Sequence, residues 1–237
     1  MLVKKIYKPL LLLTLVFQGC NDFEDLNTNP NEPTSVASGV LFSAAIRSSA
    51  QTQANESFLL GNNIAQLSAK TIRAEVDFYG WNAFPTVWEG FYESLTDVQQ
   101  VIDISIETGD KATQGAALIY KSWIYSVLTN AYGDIPYSQA MKGLEANFTP
   151  AYDSQEAIYA DLLNTLEQAV GMLSNGGSVA GDLLYDGDTQ KWVRFANSLR
   201  LRLLMHQSGK QDISSAFASI VNSGNIINSS DNQAAVT

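Results

Sequence analysis

Apolar residues recur at three- and four-residue intervals through four long stretches of this 237-residue chain, and this spacing is what most restricts its fold. Side chains spaced in this way share one face of an α-helix, and that face has to be buried against another element. The first clear stretch begins at Pro85, a residue favoured in the first turn of a helix. Its apolar series is Trp88, Phe91, Leu95, Val98, Ile102 and Ile106. The sequence therefore predicts a long amphipathic helix from Pro85.

A second helix is predicted directly after this one. Gly109 and Asp110 interrupt the first helix, and Gly133 and Pro136 end the second. The apolar stripe between them is Ala116, Ile119, Tyr120, Trp123, Val127 and Ala131. Because the linker is short, we expect the two helices to pack as an antiparallel hairpin.

Further along, a second hairpin is predicted. Asp153 and Glu156 have the spacing of a capping box, and Asp188 is the expected N-cap of the partner helix. The two stripes are Ile158, Leu162, Leu166 and Val170, then Trp192, Phe195, Leu199, Leu203 and His206. A less periodic pair is expected upstream, at Ser35 to Gln53 and Glu56 to Ala74.

Hairpins of this kind, stacked face to face, are typical of tetratricopeptide-like arrays. The predicted fold class is therefore all-α, with stacked helical hairpins of tetratricopeptide-like type and long irregular loops. The last predicted helix, Ile213 to Val221, is followed by polar residues without a capping helix. For this reason we expect the chain to be the N-terminal part of a longer protein.

The N-terminus has the features of a lipoprotein signal peptide. Lys4, Lys5 and Lys8 precede the apolar run Leu10 to Phe17, which is shorter than the roughly 20 residues of a membrane-spanning helix. Cys20 is the only cysteine, and its thiol is expected to become the lipidated first residue. We expect three segments: a signal peptide at 1–19, a lipidated Cys20 with an acidic, Asn- and Pro-rich tether at 20–34, and a helical domain at 35–237.

Composition argues against several classes of function. The formal net charge of −10, which loss of residues 1–19 makes more negative, disfavours nucleic acid as a partner. One cysteine and one histidine provide neither a disulfide framework nor a multi-residue zinc site. No carboxylates are paired in a recognisable hydrolase motif, so we expect no enzyme activity, no cofactor and no metal.

Three stretches of sequence together are similar to the SusD/RagB family of outer-membrane nutrient-binding lipoproteins. The first is the Cys-Asn-Asp-Phe-Glu-Asp start at Cys20, and the second is Tyr132-Gly133-Asp134-Ile135-Pro136-Tyr137, which resembles the family's YGDVPY turn. The third runs from Asp186-Gly187-Asp188 into Lys191-Trp192-Val193-Arg194-Phe195-Ala196-Asn197-Ser198-Leu199-Arg200-Leu201-Arg202. Family members are about twice as long, so the resemblance covers their N-terminal half.

The resemblance implies a helical scaffold of Bacteroidetes type, anchored by lipid in the outer membrane and facing the cell exterior. It further implies that the scaffold binds oligosaccharide or peptide and delivers this nutrient to a SusC-like TonB-dependent transporter barrel. The alternative is a lipid-anchored helical-repeat scaffold that binds a protein partner, because grooves of such arrays commonly hold peptides.

Ligand contact is expected in the loop of residues 77–84, where aromatic side chains gather outside the helices. Sugar rings stack on flat aromatic surfaces, and amide groups pair with hydroxyls. The candidates are Tyr79, Trp81 and Asn82. The competing interpretation is that Trp81 and Phe84 fold the loop against the next helix.

Other conspicuous residues have structural interpretations. We expect Gly133 to Pro136 to end a helix, and Arg194, Arg200 and Arg202 to hold neighbouring helices together. Asp182, Asp186 and Asp188 suggest a calcium loop, but their spacing fits none. His206 is expected to lie partly buried at a helix end.

Overall fold

The computed structural model describes residues 36–72, 75–80 and 85–236, and six α-helices of ten or more residues dominate this part of the chain. They are α1 Ser38–Glu56, α2 Pro85–Thr108, α3 Lys111–Tyr132, α4 Gln155–Leu173, α5 Thr189–Gln207 and α6 Ser214–Ser223. Successive helices pack against each other from α1 to α6. The predicted all-α architecture of stacked hairpins is confirmed.

Helices α2 and α3 form the predicted hairpin. Gly109 adopts a φ of +74° between them, and the Asp110 side chain accepts a hydrogen bond from the Thr113 amide at 3.0 Å, which caps α3. The α2 stripe is buried except at its ends, where Trp88 is half-buried and Ile106 is 54% exposed. The apolar period therefore defines the buried face of α2 well.

Helix α3 lies at the centre of the fold and contacts α1, α2, α4 and α5. It is buried on several faces, whereas its sequence pattern predicts only one. Gly115 permits the close approach of α4, since a Cβ atom there would lie 3.1 Å from Leu173 Cγ. Small residues at 115–117 thus let neighbouring helices surround α3.

The upstream hairpin forms only in part. Helix α1 packs against α2 and continues through a π-helical turn, Ser57–Gly61, into a short turn, Asn62–Ile64. The predicted separate helix over Glu56 to Ala74 is wrong beyond Ile64: the helical turns up to that residue continue α1, and the described residues 65–72 form no helix. The Asn63 amide donates to the Leu59 carbonyl at 3.0 Å, so a side chain competes with the backbone where the helix ends.

Two short strands separate α3 from α4. β1 (Ile135–Pro136) pairs antiparallel with β2 (Tyr152–Asp153). The predicted capping box is wrong: Asp153 accepts hydrogen bonds from the Tyr137 and Ser138 amides, at 3.2 and 2.8 Å, and Ser154 is the N-cap of α4. Strand pairing turns the Asp153 carboxylate towards the segment that follows β1 and away from the helix.

Trp192, in the first turn of α5, is the centre of an aromatic cluster. Its ring is fully buried and stacks on Phe42 of α1 at 5.9 Å between centroids, and Tyr120 of α3 meets it edge-on. Asp188 caps α5 as predicted, accepting from the Gln190 and Lys191 amides. One tryptophan therefore joins α1, α3 and α5.

The loop between α4 and α5 is held against α1 by a close backbone contact. The Ser43 hydroxyl donates to the Gly181 carbonyl at 2.7 Å. Gly181 has a φ of +66°, and a Cβ atom there would overlap the carbonyl group of Gly39. Only glycine fits this contact.

Backbone and indole donors surround the acidic residue that follows Gly181 in this loop. Asp182 is buried and accepts from the amides of Leu184, Tyr185 and Gly187 and from Trp192 Nε1. Within the described residues, no group of three or more His, Cys, Asp or Glu could hold a metal ion. The Asp182 carboxylate therefore serves as the acceptor that holds this loop and Trp192 together.

The arginines of α5 and its single histidine make contacts between elements. Arg202 Nη2 donates to Ser126 Oγ of α3 at 3.1 Å, and Arg200 pairs with Glu167 of α4 at 3.3 Å. Arg194 donates to Asn232 at 2.9 Å. These contacts match the predicted structural role. His206 lies near the end of α5 but is exposed, so the expected partial burial is wrong.

The predicted signal peptide, Cys20 and the tether up to residue 34 lie outside the described residues. Among the residues that are described, no helix combines the length and the hydropathy that a membrane span requires.

Candidate ligand-binding surface

Only part of the predicted ligand loop belongs to the described residues. Trp81 and Asn82 lie outside them, whereas Asp77, Phe78, Tyr79 and Gly80 are described. Asp77 accepts a hydrogen bond from the Lys70 amide at 3.0 Å, and Gly80 donates to the Glu75 carbonyl at 2.7 Å. These bonds shape the loop, so the Asp77 carboxylate has a structural role.

Tyr79 borders a cavity of about 470 Å³ between this loop and the residues that follow α1. Its side chain is 63% exposed and its backbone φ is +55°, a left-handed conformation that is uncommon for tyrosine. The other side of the cavity is lined by Asn63, Gln66, Leu67, Ser68 and Ala69. An aromatic ring and amide side chains are thus close together at this cavity.

A second group of aromatic residues lies where α2 begins and α3 ends. The Trp88 ring meets Tyr132 edge-on at 5.2 Å and lies at 23° to the Tyr152 ring, with 6.3 Å between centroids. Tyr132 and Tyr152 are exposed, and Trp88 is half-buried. We call Trp88, Tyr132 and Tyr152 the aromatic surface.

The backbone around the aromatic surface places these rings. Gly133, with a φ of +77°, ends α3 directly after Tyr132, and strand pairing sets Tyr152 opposite Pro136. The Tyr92 hydroxyl donates to the Pro136 carbonyl at 2.7 Å and ties α2 to β1. The Gly133 to Pro136 turn therefore has the predicted structural role and also orients the aromatic surface.

Burial favours the uncharged form of two tyrosines in this region, Tyr132 and Tyr92. Burial raises the pKa of Tyr132, although a hydrogen bond with the Trp88 backbone opposes the shift, and burial raises the pKa of Tyr92 as well. The aromatic surface thus offers ring faces with hydroxyl groups at their edges. This combination suits ligands that have both C–H faces and hydroxyls.

Sequence reasoning placed Trp88 in the buried stripe of α2 and did not connect it with Tyr132 or Tyr152. A usable signal existed for one pair: Trp88 lies in the first turn of α2 and Tyr132 in the last turn of α3, and antiparallel helices bring such ends together. Tyr152 had no comparable signal, because its position depends on a two-residue strand pair.

The fold defines a helical, tetratricopeptide-like scaffold. Residues 30–237 match the SusD-like family, which is described as starch-binding and associating with the outer membrane. The chain belongs to this family.

Solved structures show the same relationship. A SusD homologue from Bacteroides fragilis shares 25% identity with a TM-score of 0.69, and the match covers 84% of this chain and 43% of that one. A SusD/RagB family protein from Bacteroides thetaiotaomicron shares 27% identity with a TM-score of 0.69, and the match covers 85% of this chain and 45% of that one. A chitin-binding protein shares 30% identity with a TM-score of 0.65, over 84% of this chain and 45% of that one.

The match thus spans less than half the length of each of these solved proteins. The comparison with curated protein sequences finds no match.

Proposed function

We propose that this protein is a lipid-anchored outer-membrane protein that faces the cell exterior, binds an oligosaccharide and passes it to a SusC-like TonB-dependent transporter. In this proposal Cys20 carries the lipid, and ligand is bound by the aromatic surface together with Tyr79, Trp81 and Asn82. The protein acts by binding and catalyses no reaction.

The exposed ring of Tyr152, which lies over Trp88, is the observation that carries the binding proposal. Tyr152 is 64% exposed, so the face of its ring away from Trp88 is available for a sugar to stack on. Stacked and edge-on neighbours hold the two rings in place, which lowers the entropic cost of ordering them on binding.

Oligosaccharide is favoured over peptide by the relatives. The family is described as starch-binding, and one of the similar solved structures is described as a chitin-binding protein. Both polymers present a repeating series of pyranose rings, which matches several aromatic platforms better than it matches one deep pocket.

Isothermal titration calorimetry with maltoheptaose and chitohexaose tests the proposal. Tyr152→Ala should weaken binding of the preferred oligosaccharide about tenfold, since stacking contacts are worth on the order of 1 kcal/mol or more. The thermal midpoint should change little, because the side chain is exposed. Trp81→Ala should behave in the same way, and a large fall in its midpoint would instead identify Trp81 as a core residue.

Phe148→Ala is the matched control, since Phe148 is a 79% exposed aromatic residue outside the proposed surface. It should leave affinity unchanged. Equal losses in Tyr152→Ala and Phe148→Ala, or full affinity in both Tyr152→Ala and Trp81→Ala, would contradict the proposed surface.

The transporter is tested separately by purifying the lipidated protein from its native membrane in detergent and identifying co-purifying proteins by mass spectrometry. Recovery of a TonB-dependent barrel supports delivery to a transporter. Recovery of other proteins without a barrel would favour the scaffold alternative.

One structural observation keeps that alternative open. Several apolar side chains between the end of α1 and the described part of the loop are exposed: Phe58, Leu59, Leu67, Ile72 and Phe78. Exposed apolar groups on one part of a chain are typical of protein contact surfaces. In the leading proposal, the transporter barrel would be the protein that covers these apolar side chains.

A further inference from the structure

A second, polar pocket of about 630 Å³ lies between α2, α3, α4 and the segment that joins β1 to β2. Its size is within the range of small-ligand sites. Gln99 and Asp103 of α2, Lys121 of α3 and Asp161 of α4 lie in its walls. None of the described residues assigned above to oligosaccharide binding (Tyr79, Trp88, Tyr132 and Tyr152) lines it, so we treat this pocket as a separate site.

Lys121 lies at one wall of the pocket, within a chain of hydrogen bonds. Its Nζ donates to Gln99 Oε1 at 2.7 Å, and Gln99 Nε2 donates to Asp103 Oδ1 at 2.8 Å. Among the described residues Lys121 is in no ion pair within 4.0 Å. An ammonium group has three donor hydrogens, so two remain for a ligand or water.

Desolvation by burial lowers the pKa of Lys121, and the nearby carboxylates of Asp103 and Asp161 partly oppose this effect. The side chain is held in place by Gln99 and by the Tyr125 ring, whose centroid lies 5.9 Å from Nζ. A cation that is partly buried and lacks a direct counter-ion is costly to keep for stability alone. Its presence therefore points to a role in binding.

Acceptors lie on another wall. The Tyr137 hydroxyl donates to Asp161 Oδ2 at 2.5 Å, which orients this carboxylate, and within the described residues Oδ1 accepts no hydrogen bond. The Asp153 carboxylate is less available to a ligand, because it already accepts hydrogen bonds from two backbone amides and from the Ser138 hydroxyl. The available acceptors are therefore Asp161 and the second oxygen of Asp103.

The charges of the pocket select the ligand. Lys121 and Lys142 line it together with Asp103, Glu145, Asp153 and Asp161. The four carboxylates, against two ammonium groups, disfavour an anion in the pocket. A cation is disfavoured at the position next to Lys121 Nζ, because it would face the ammonium hydrogens that Gln99 leaves free. A hydroxyl group accepts a hydrogen bond from Lys121 and donates one to Asp103 or Asp161 at the same time.

We propose that this pocket is a second saccharide site, which binds a single neutral sugar unit through neighbouring hydroxyls held between Lys121, Asp103 and Asp161. Unlike the aromatic surface, it provides hydrogen bonds in place of stacking. It would therefore recognise the arrangement of hydroxyls in a sugar rather than the length of a polymer.

Saturation-transfer NMR and titration of the full chain with methyl glucoside, methyl galactoside and methyl mannoside test this site, with glucuronate and glucosamine as charged comparators. At least one neutral glycoside should bind, and more tightly than either charged sugar. Lys121→Met should weaken that binding about tenfold, the expected loss for hydrogen bonds to a charged group.

Two control variants separate binding in this pocket from a general loss of positive charge and from binding at the aromatic surface. Lys111→Met makes the same change ten residues earlier, at the exposed start of α3, and should leave binding unchanged. In Tyr152→Ala, which removes stacking at the aromatic surface, the Lys121-dependent binding of the neutral glycoside should remain. Because burial disfavours the charge of Lys121, Lys121→Met should keep or raise the thermal midpoint. Weaker binding by this variant could then not be attributed to unfolding.

Asp161→Asn is a second variant, which keeps the shape of the side chain but turns an acceptor into a donor, and it too should weaken binding. The proposal is overturned if no neutral glycoside binds, if a charged sugar binds more tightly, or if Lys121→Met and Asp161→Asn retain full affinity. It is also overturned if Tyr152→Ala alone abolishes binding, which would assign the sugar to the aromatic surface.

Discussion

The indole Nε1 of Trp192 donates a hydrogen bond to Asp182 Oδ2 over 2.8 Å, in the interior of the fold. Three backbone amides, of Leu184, Tyr185 and Gly187, donate to the same carboxylate. Asp182 thus determines the course of the loop before α5 and the orientation of the tryptophan that joins α1, α3 and α5.

Asp182→Asn should lower the free energy of unfolding by about 3 kcal/mol, because the amide group would direct its own donors at N–H groups and leave buried donors unsatisfied. Asp186→Asn, in the same loop, should change it by less than about 0.5 kcal/mol. Asp186 is exposed and has a φ of +53°, which asparagine tolerates. Urea denaturation of both variants measures the difference, and similar losses would contradict the central role of Asp182.

Gly181→Ala should destabilise the protein by more than about 3 kcal/mol, because the added methyl group meets the Gly39 backbone in addition to the cost of its left-handed φ. Gly176→Ala is the matched control. Gly176 has a φ of +78° but no atom within 4 Å of the added Cβ, so Gly176→Ala should lower the free energy of unfolding by only about 1 kcal/mol. Equal losses in thermal denaturation would show that the loop moves away from α1 at little cost.

Ser154→Ala should cost about 1 kcal/mol, since its hydroxyl caps α4 by accepting from the Ala157 amide at 3.3 Å. Glu156→Gln should cost under about 0.5 kcal/mol. The capping box predicted from the sequence gives the opposite order, with Glu156 important and Ser154 neutral. Chemical denaturation of the two variants distinguishes these assignments.

The contact between Asp153 and Ser138 should be sensitive to acid. Hydrogen bonds from the Ser138 amide, from its hydroxyl and from the Tyr137 amide hold the pKa of Asp153 below its usual range. Because the pKa in the folded state is depressed, the stabilisation is complete above the unfolded value of about 4 and is lost as the pH falls through the folded value.

The Ser138 amide signal, followed by NMR from pH 7 downwards, should shift with a midpoint below about 4. Asp153→Asn should abolish that titration. A midpoint at or above the ordinary aspartate value would show that these hydrogen bonds do not favour the ionised carboxylate.

The long periodic segments could be predicted from the sequence because burial of one helix face is a local, repeating requirement. The α2 stripe from Phe91 to Ile102 and the N-cap at Asp188 are examples. The segment after α1 shows the limit of this reasoning. Apolar residues such as Phe58 and Leu59 suggest a regular α-helix, but the chain forms a π-helical turn there, Ser57–Gly61.

Contacts between distant residues could not be predicted in this way. The aromatic surface depends on the pairing of Pro136 with Tyr152, and the polar pocket brings together residues of three helices. Asp153 illustrates the difficulty, since its spacing from Glu156 fits a capping box while a partner 15 residues earlier takes its carboxylate. Local spacing does not reveal such competition.

The contact between Ser43 and Gly181 joins residues 138 positions apart, and this separation has a consequence for how the protein is made. Chains are synthesised at roughly 5 to 20 residues per second, so α1 exists for on the order of ten seconds before its loop partner has been added. Throughout that interval Phe42 lacks the Trp192 ring that covers it in the finished fold. In a newly made chain the apolar face of α1 that includes Phe42 is therefore available to holdase chaperones, and this period ends only when α5 has been synthesised.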